Sequence, residues 1–149
     1  MKTIAMQQLD KTLAGMKSAL GVQPPARGWI RAIRDALAMS GPQMARRMNM
    51  TKQGVDAFEK AEVSGSISLN TLRKAAEALD CALVYAVVPR DSLHNAVERQ
   101  ARKLAEHSAA YTGHSMLLEN QLPGKHERQA ALEKAIADIV RHRPKNLWD

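Results

Sequence analysis

Aromatic side chains are scarce in this chain: one Phe, two Trp and two Tyr make up 3% of its 149 residues. A core with so few rings must be aliphatic, and eight methionines make it a soft one. Cys81 is the single cysteine, which excludes an internal disulfide and fits a reducing cytoplasm. Long hydrophobic runs are missing too. The longest strongly apolar stretch, Ala82 to Val88, is too short to span a bilayer, and the mixed N-terminus bracketed by Lys2 and Asp10 is not a secretory signal. A cytoplasmic protein with no membrane partner is therefore expected. No phosphate-cradling glycine loop or nucleophile elbow is present. The histidines, His94, His107, His114, His126 and His142, are scattered, with no Cys or carboxylate beside them at metal-ligand spacing. His107 and His114 share a helix face only if Gly113 does not break the helix between them. No metal, no cofactor and no catalytic residues are expected, and the chain does not read as an enzyme.

What is present is positive charge and helical periodicity. The net charge of +7 and a pI near 9.9 suit a polyanionic partner, although basic residues are spread along the whole length. The length fits one domain with an extension, or two small ones, and 45% hydrophobic content can bury a core.

The stretch Ser40 to Lys60, SGPQMARRMNMTKQGVDAFEK, reads as a helix-turn-helix. Ser40 can cap a short helix, with Gln43 reaching back as a capping box and Pro42 tolerated in the first turn. Met44, Ala45 and Met48 form its apolar face. Asn49 tolerates the left-handed backbone of a sharp turn, and Met50 can plug the corner. Thr51 supplies the next cap. The second helix then buries Val55 and Phe58, with Lys52, Gln53, Gly54, Asp56, Ala57 and Lys60 facing outward. Such a hairpin can place the N-terminal turns of its second helix in a DNA major groove. It also occurs in proteins that bind no DNA.

From about Trp29 to Leu79 the chain resembles the phage-repressor or Xre class of helix-turn-helix domains. The matching residues are Arg34, Met44-Ala45, Met48, Met50-Thr51, Val55, Phe58-Glu59, Ser68-Leu69, Leu72, Ala76 and Leu79. The resemblance implies a buried ion pair between Arg34 and Glu59, and base contacts from the outward positions after Thr51. Arg34 lies beside the buried stripe Ile30, Ile33 and Leu37, where an unpaired guanidinium would be costly. The alternative is an exposed Arg34. In repressors of this class the loop equivalent to Ala61–Ile67 touches the phosphate backbone, which would enlist Ser64 and Ser66; otherwise it is a solvated connector. The candidate DNA-contacting set is Gln43, Thr51, Lys52, Gln53, Gly54, Asp56, Ala57, Lys60, Ser64 and Ser66. Lys52 favours the acceptor edge of guanine, Gln53 can bridge adenine, and Asp56 can accept from cytosine or repel phosphate. The expected partner is a double-stranded operator.

On either side of this domain the pattern stays mostly helical. Residues 1–22 carry Ile4, Leu9, Leu13, Met16 and Leu20 at helical spacing, as either a dimer clasp or a cap on the C-terminal helices. The prolines at 24 and 25 make a stiff linker. The helix-turn-helix domain spans 27–80, closing with a helix capped by Ser68 whose Leu69, Leu72, Ala76 and Leu79 point inward. Residues 81–89 then read as a β-strand, rich in β-branched residues and stopped by Pro89. No other stretch reads as its partner, so Leu83, Val84, Tyr85, Ala86 and Val87 are expected to pair with a second copy in a homodimer, with recognition helices about 34 Å apart. The alternative is that this run extends the preceding helix.

Residues 90–149 are expected to be helical: Leu93, Val97, Ala101 and Leu104 inward, Glu98 paired with Arg102, a break at Thr112-Gly113, then a short segment, and a last helix with Leu132, Ile136, Ile139 and Val140 inward. The fold class is mainly α: a repressor-like helix-turn-helix bundle, one dimerisation strand, and C-terminal helices. The ordered set GWIRAIRDAL, LRKAAEALDCALVYAVVP, HSMLLENQ and the final LWD resembles the family called mobile mystery protein A, over nearly the whole chain. That resemblance implies a Fic-domain protein encoded nearby. Fic enzymes transfer AMP to protein hydroxyls, and many are blocked by a helix with the pattern Ser or Thr, three residues, Glu, then Gly or Asn. Ser115, Glu119 and Asn120, within the candidate segment 114–121, fit that pattern, and Glu119 would compete with the ATP γ-phosphate for a cationic partner. The alternative leaves Met116, Leu117 and Leu118 in a core and Glu119 in solvent. The chain then reads as an autorepressor and antitoxin, as a DNA-binding regulator only, or as a Fic inhibitor that binds no DNA.

Overall fold

The computed structural model describes residues 2–118 and 123–149, and the protein is mainly helical, with no strand among the described residues. Among the described residues seven α-helices follow in order: α1 (Lys2–Ala14), α2 (Trp29–Ala36), α3 (Gly41–Arg47), α4 (Lys52–Ser64), α5 (Leu69–Ala78), α6 (Leu93–Leu118) and α7 (Lys125–His142). Short 3-10 helices cover Lys17–Gly21 and Lys145–Trp148. Two compact units result: 18–87, holding α2 to α5, and a second made of 1–17 with 88–149.

In the unit 18–87, local chemistry sets the helix starts. Ser40 Oγ accepts from the Gln43 backbone N–H while Gln43 Oε1 accepts from the Ser40 N–H, a complete capping box. Thr51 and Ser68 cap α4 and α5 through the N–H groups of Gly54 and Thr71. The helix ends share a different device. Ala38, Asn49, Gly65 and Asp80 all have left-handed backbones. The N–H after each bonds five residues back: Met39 to Arg34, Met50 to Ala45, Ser66 to Ala61 and Cys81 to Ala76. Ile30, Met44, Ala45, Val55, Phe58, Ala75 and Leu79 form the core. Leu37 and Leu69, expected inside, are 55% and 46% exposed. Leu37 follows the last turn of α2, and Leu69 opens α5, whose buried residues are Ala75 and Ala76.

Two elements depart from their expected form in this unit. Residues 61–64, read as loop, are the last turn of α4, and Glu62 there caps α2 by accepting from the N–H groups of Trp29 and Ile30 at 2.8 and 3.1 Å. Gly28 has φ +82°, which favours glycine, and a Cβ on it would sit 2.7 Å from the Glu62 carboxylate and displace it from the start of α2. The expected strand is also missing: residues 81–89 form neither strand nor helix. The left-handed Asp80 stops α5 from continuing, and no described segment of the chain supplies a strand to pair with. Leu83 is half-buried, whereas Val84, Tyr85, Ala86 and Val87 are exposed.

In the second unit α6 and α7 pack as a hairpin around Val97, Ala101, Ala105 and Ile136, and α1 lies against them. In α1 Met6 is buried, whereas Ile4 and Leu9 are exposed. Asp10 fixes the start of α6 by accepting from the N–H groups of Leu93 and His94, so α1 serves to cap the C-terminal helices. The expected Glu98 to Arg102 pair is not formed; Arg102 reaches Glu133 on α7 at 3.4 Å. Gly113 does not break the helix, and α6 runs through it for 26 residues. The C-terminal turn folds back so that Leu147 is 2% exposed in the same core. Leu147→Ala is expected to lower the stability of this unit by about 2–5 kcal/mol, the range for a truncated core leucine, read as an earlier calorimetric transition.

Candidate nucleic-acid interface

Helices α3 and α4 meet at a turn that fixes their starts side by side. Asn49 takes the left-handed step (φ 53°), and the Met50 N–H bonds Ala45 O at 2.9 Å. Met48 packs against the core, while Met50, expected as the corner plug, is 38% exposed with its sulfur over the Gly54 backbone. A Cβ at Gly54 would approach that sulfur to 3.3 Å, so the small residue makes room for Met50. The stem of Lys52 passes over Gly41 at the start of α3, within 3.5 Å of where a Cβ would be.

The outward face of α4 exposes Thr51, Lys52, Gln53, Ala57 and Lys60, with Gly54 and Asp56 half-buried. Lys52 Nζ lies 2.9 Å from Asp56 Oδ2 across one turn. That hydrogen bond, with the charges of Lys52, Lys60 and Arg31, holds the Asp56 carboxyl below its ordinary range. Asp56 is thus ionised at neutral pH, and it steers Lys52 along the helix. Gln43 spends its oxygen on the capping box, which leaves its amide as a donor at the start of α3. Ser64 donates to Ala61 O at 3.2 Å and meets the Ser66 hydroxyl at 2.8 Å, so these two hydroxyls form one small cluster at the end of α4.

Beneath this face sits the Arg34 to Glu59 pair. Nε and Nη2 of Arg34 donate to Glu59 Oε1 and Oε2 at 2.7 and 3.3 Å, Nη1 donates to Met39 O at 2.8 Å, and both side chains are buried. Two parallel bonds to one carboxylate also fix its geometry. The hydrogen bond with Glu59 holds the guanidinium above its ordinary pKa, so it stays charged at any pH the fold meets. The pair joins α2 to α4 and so sets the angle at which the outward face is presented.

Arg27 and Arg31 stand beside Lys60 and Ser64 around a cleft of about 290 Å³. Sequence pattern offers no signal for this, because Arg27 and Arg31, at the start of α2, are brought to Lys60 and Ser64 of α4 only by the fold. Ser115 sits on the exposed surface of α6, its hydroxyl donating to Tyr111 O at 3.3 Å. Glu119 and Asn120 lie outside the described residues. Beside Gly113 an apolar cleft of about 610 Å³ opens between α6 and α7, lined by Ala109, Ala131 and Leu132 among others. Among the described residues no helix is long and apolar enough to cross a membrane, and no group of His, Cys, Asp and Glu is placed to hold a metal. Comparison with family models, curated proteins and solved structures found no match.

Proposed function

We propose that the chain is a dimeric, sequence-specific DNA-binding regulator, an autorepressor without catalytic activity. The observation that carries this reading is the tight α3–turn–α4 hairpin that exposes Lys52 and Gln53 on the first turn of α4, beside the start of α3. A groove-reading helix needs that presentation: an exposed N-terminal turn, donors of more than one kind, and a rigid support. Lys52 reads guanine, Gln53 reads adenine, and Asp56 positions Lys52 or accepts from cytosine. So few readers give modest discrimination per half-site, so two copies are needed.

The segment 82–87 is the proposed dimer contact. Val84, Tyr85 and Val87 are 71%, 63% and 88% exposed, and their backbone belongs to no helix or strand. Pairing with the same segment of a second copy would satisfy those groups and cover the side chains. A gel shift with the DNA upstream of the coding sequence, alongside sedimentation of the free protein, tests both parts. A specific shift and a mass of two chains are expected; a single-chain mass at working concentration would overturn the dimer.

Inhibition of a Fic-type AMP-transferase is a second activity. It is supported by the sequence of Ser115, Glu119 and Asn120 and by the exposed position of Ser115 on α6. Coexpressed with the Fic protein encoded beside it, a Glu119→Gly variant is expected to release adenylylation. Continued suppression would remove this role and leave the DNA-binding one standing.

A further inference from the structure

Lys52, Asp56, Lys60 and Ser64 recur every four residues along α4, so they form one stripe down the helix. The stripe ends at the 290 Å³ cleft whose opposite wall is Arg27, in the turn before α2, and Arg31, on its first turn. Three cations and a hydroxyl therefore converge on one small space. Glu59, the carboxylate that lines it among the described residues, already accepts two bonds from Arg34. Arg31 is left with long contacts: Nη1 is 3.9 Å from Glu59 and Nε is 3.8 Å from Asp35, beyond hydrogen-bonding distance. Its Nε is buried with no hydrogen-bond partner among the described residues. Asp35 does not line the cleft, and the Arg31 side chain, 39% exposed and hydrogen-bonded to neither carboxylate, keeps donors that an anionic oxygen entering the cleft can engage.

We infer that this cleft is a phosphate site, built by Arg27, Arg31, Lys60 and Ser64, which on a duplex holds a backbone phosphate at the wall of the groove that α4 enters. The helical rise supports the placement: the eight residues from Lys52 to Lys60 span about 12 Å along α4, so the cleft lies clear of the first turn, which meets the base edges, and is open to the backbone. A phosphate contact there fixes register and angle but carries no base information. The source of the phosphate rests on the DNA-binding reading; the chemistry of the cleft does not.

Two measurements on the full chain test the site. First, Arg27→Ala and Lys60→Ala, both at exposed positions, are made singly and together, and affinity for the upstream duplex and for an unrelated duplex is followed across salt concentrations. Both duplexes should weaken by the same factor, with the slope of log K against log salt falling by about 0.9 for the lost phosphate and the ratio between duplexes unchanged. Second, the arginine Nε–H resonances are followed during titration with inorganic pyrophosphate and with the unrelated duplex. Arg31 should shift with both probes in the wild type and with neither in the double variant, while Arg34, held by Glu59, stays fixed. A shift with pyrophosphate in a protein that binds no duplex keeps the site and assigns its phosphate to another source, which sinks the DNA-binding reading alone. Duplex binding with unaltered salt slopes in the variants, or an Arg31 signal unmoved by either probe, overturns the site.

Discussion

Glu59→Ala should destabilise the unit 18–87 by about 3–5 kcal/mol, the cost of leaving one member of a buried ion pair without the other. Arg34 would keep Met39 O and the half-exposed Asp35 carboxylate, at 2.8 and 3.1 Å, but would lose both bonds to Glu59. A domain of this size has a total stability on the order of 5–10 kcal/mol, so the loss is a large share of it. The melting temperature should fall by more than about 10 °C. Replacing both partners, Arg34→Met with Glu59→Leu, removes the stranded charge and should recover most of the loss, since an apolar pair of similar volume is often no worse than a buried salt bridge. A melting temperature unchanged in Glu59→Ala would mean that the pair does not hold α2 against α4.

The second large effect is on recognition. Lys52→Ala with Gln53→Ala should leave stability within about 0.5 kcal/mol of wild type, because both side chains are exposed. Capping of α4 by Thr51 is untouched. Each base contact is worth about 1–3 kcal/mol of discrimination, so losing two per half-site should weaken specific binding at least 100-fold. Binding to unrelated duplex should fall far less, by the loss of one cation. Loss of the Lys52 to Asp56 ion pair in the variant is a minor term, as exposed pairs contribute little. Specific binding that survives the double substitution would move base reading off the first turn of α4. The contrast with the cleft variants is direct: these substitutions collapse the ratio between duplexes, whereas those at Arg27 and Lys60 preserve it.

The helix starts of the unit 18–87 can be read from the sequence because capping is local. Ser40 with Gln43, Thr51 and Ser68 satisfy N–H groups three residues away. Two of its helix ends cannot be read so easily. Ala38 and Asp80 take the same left-handed step as Asn49 and Gly65, yet an alanine carries no signal for it, and the step is imposed by the bond from the next residue back to the last turn. Contacts far apart in sequence are equally silent: Glu62 capping α2 lies 33 residues from Trp29, and Asp10 capping α6 lies 83 from Leu93. Ile4 and Leu9 of α1 stand at helical spacing, but the residue that packs into the core with α6 is Met6, which that apolar set does not include. Gly113 read as a break, but a single glycine costs about 1 kcal/mol in a helix, and a 26-residue helix absorbs that. The β-branched run at 83–87 has strand composition without a strand, because composition can favour an extended backbone but cannot supply its partner. The outward face of α4 was readable as a face; Arg27 and Arg31 were not, since what assigns them is a cleft shared between α2 and α4.

Selection from a pool of random duplexes with the full chain, followed by footprinting of the winner, shows whether two chains read DNA together. An inverted repeat with half-site centres about 34 Å apart, one turn of DNA, is expected, bound by two chains and no longer enriched by the Lys52→Ala, Gln53→Ala protein. A pool that emerges unenriched, or a site without repeat symmetry occupied by one chain, would contradict that reading.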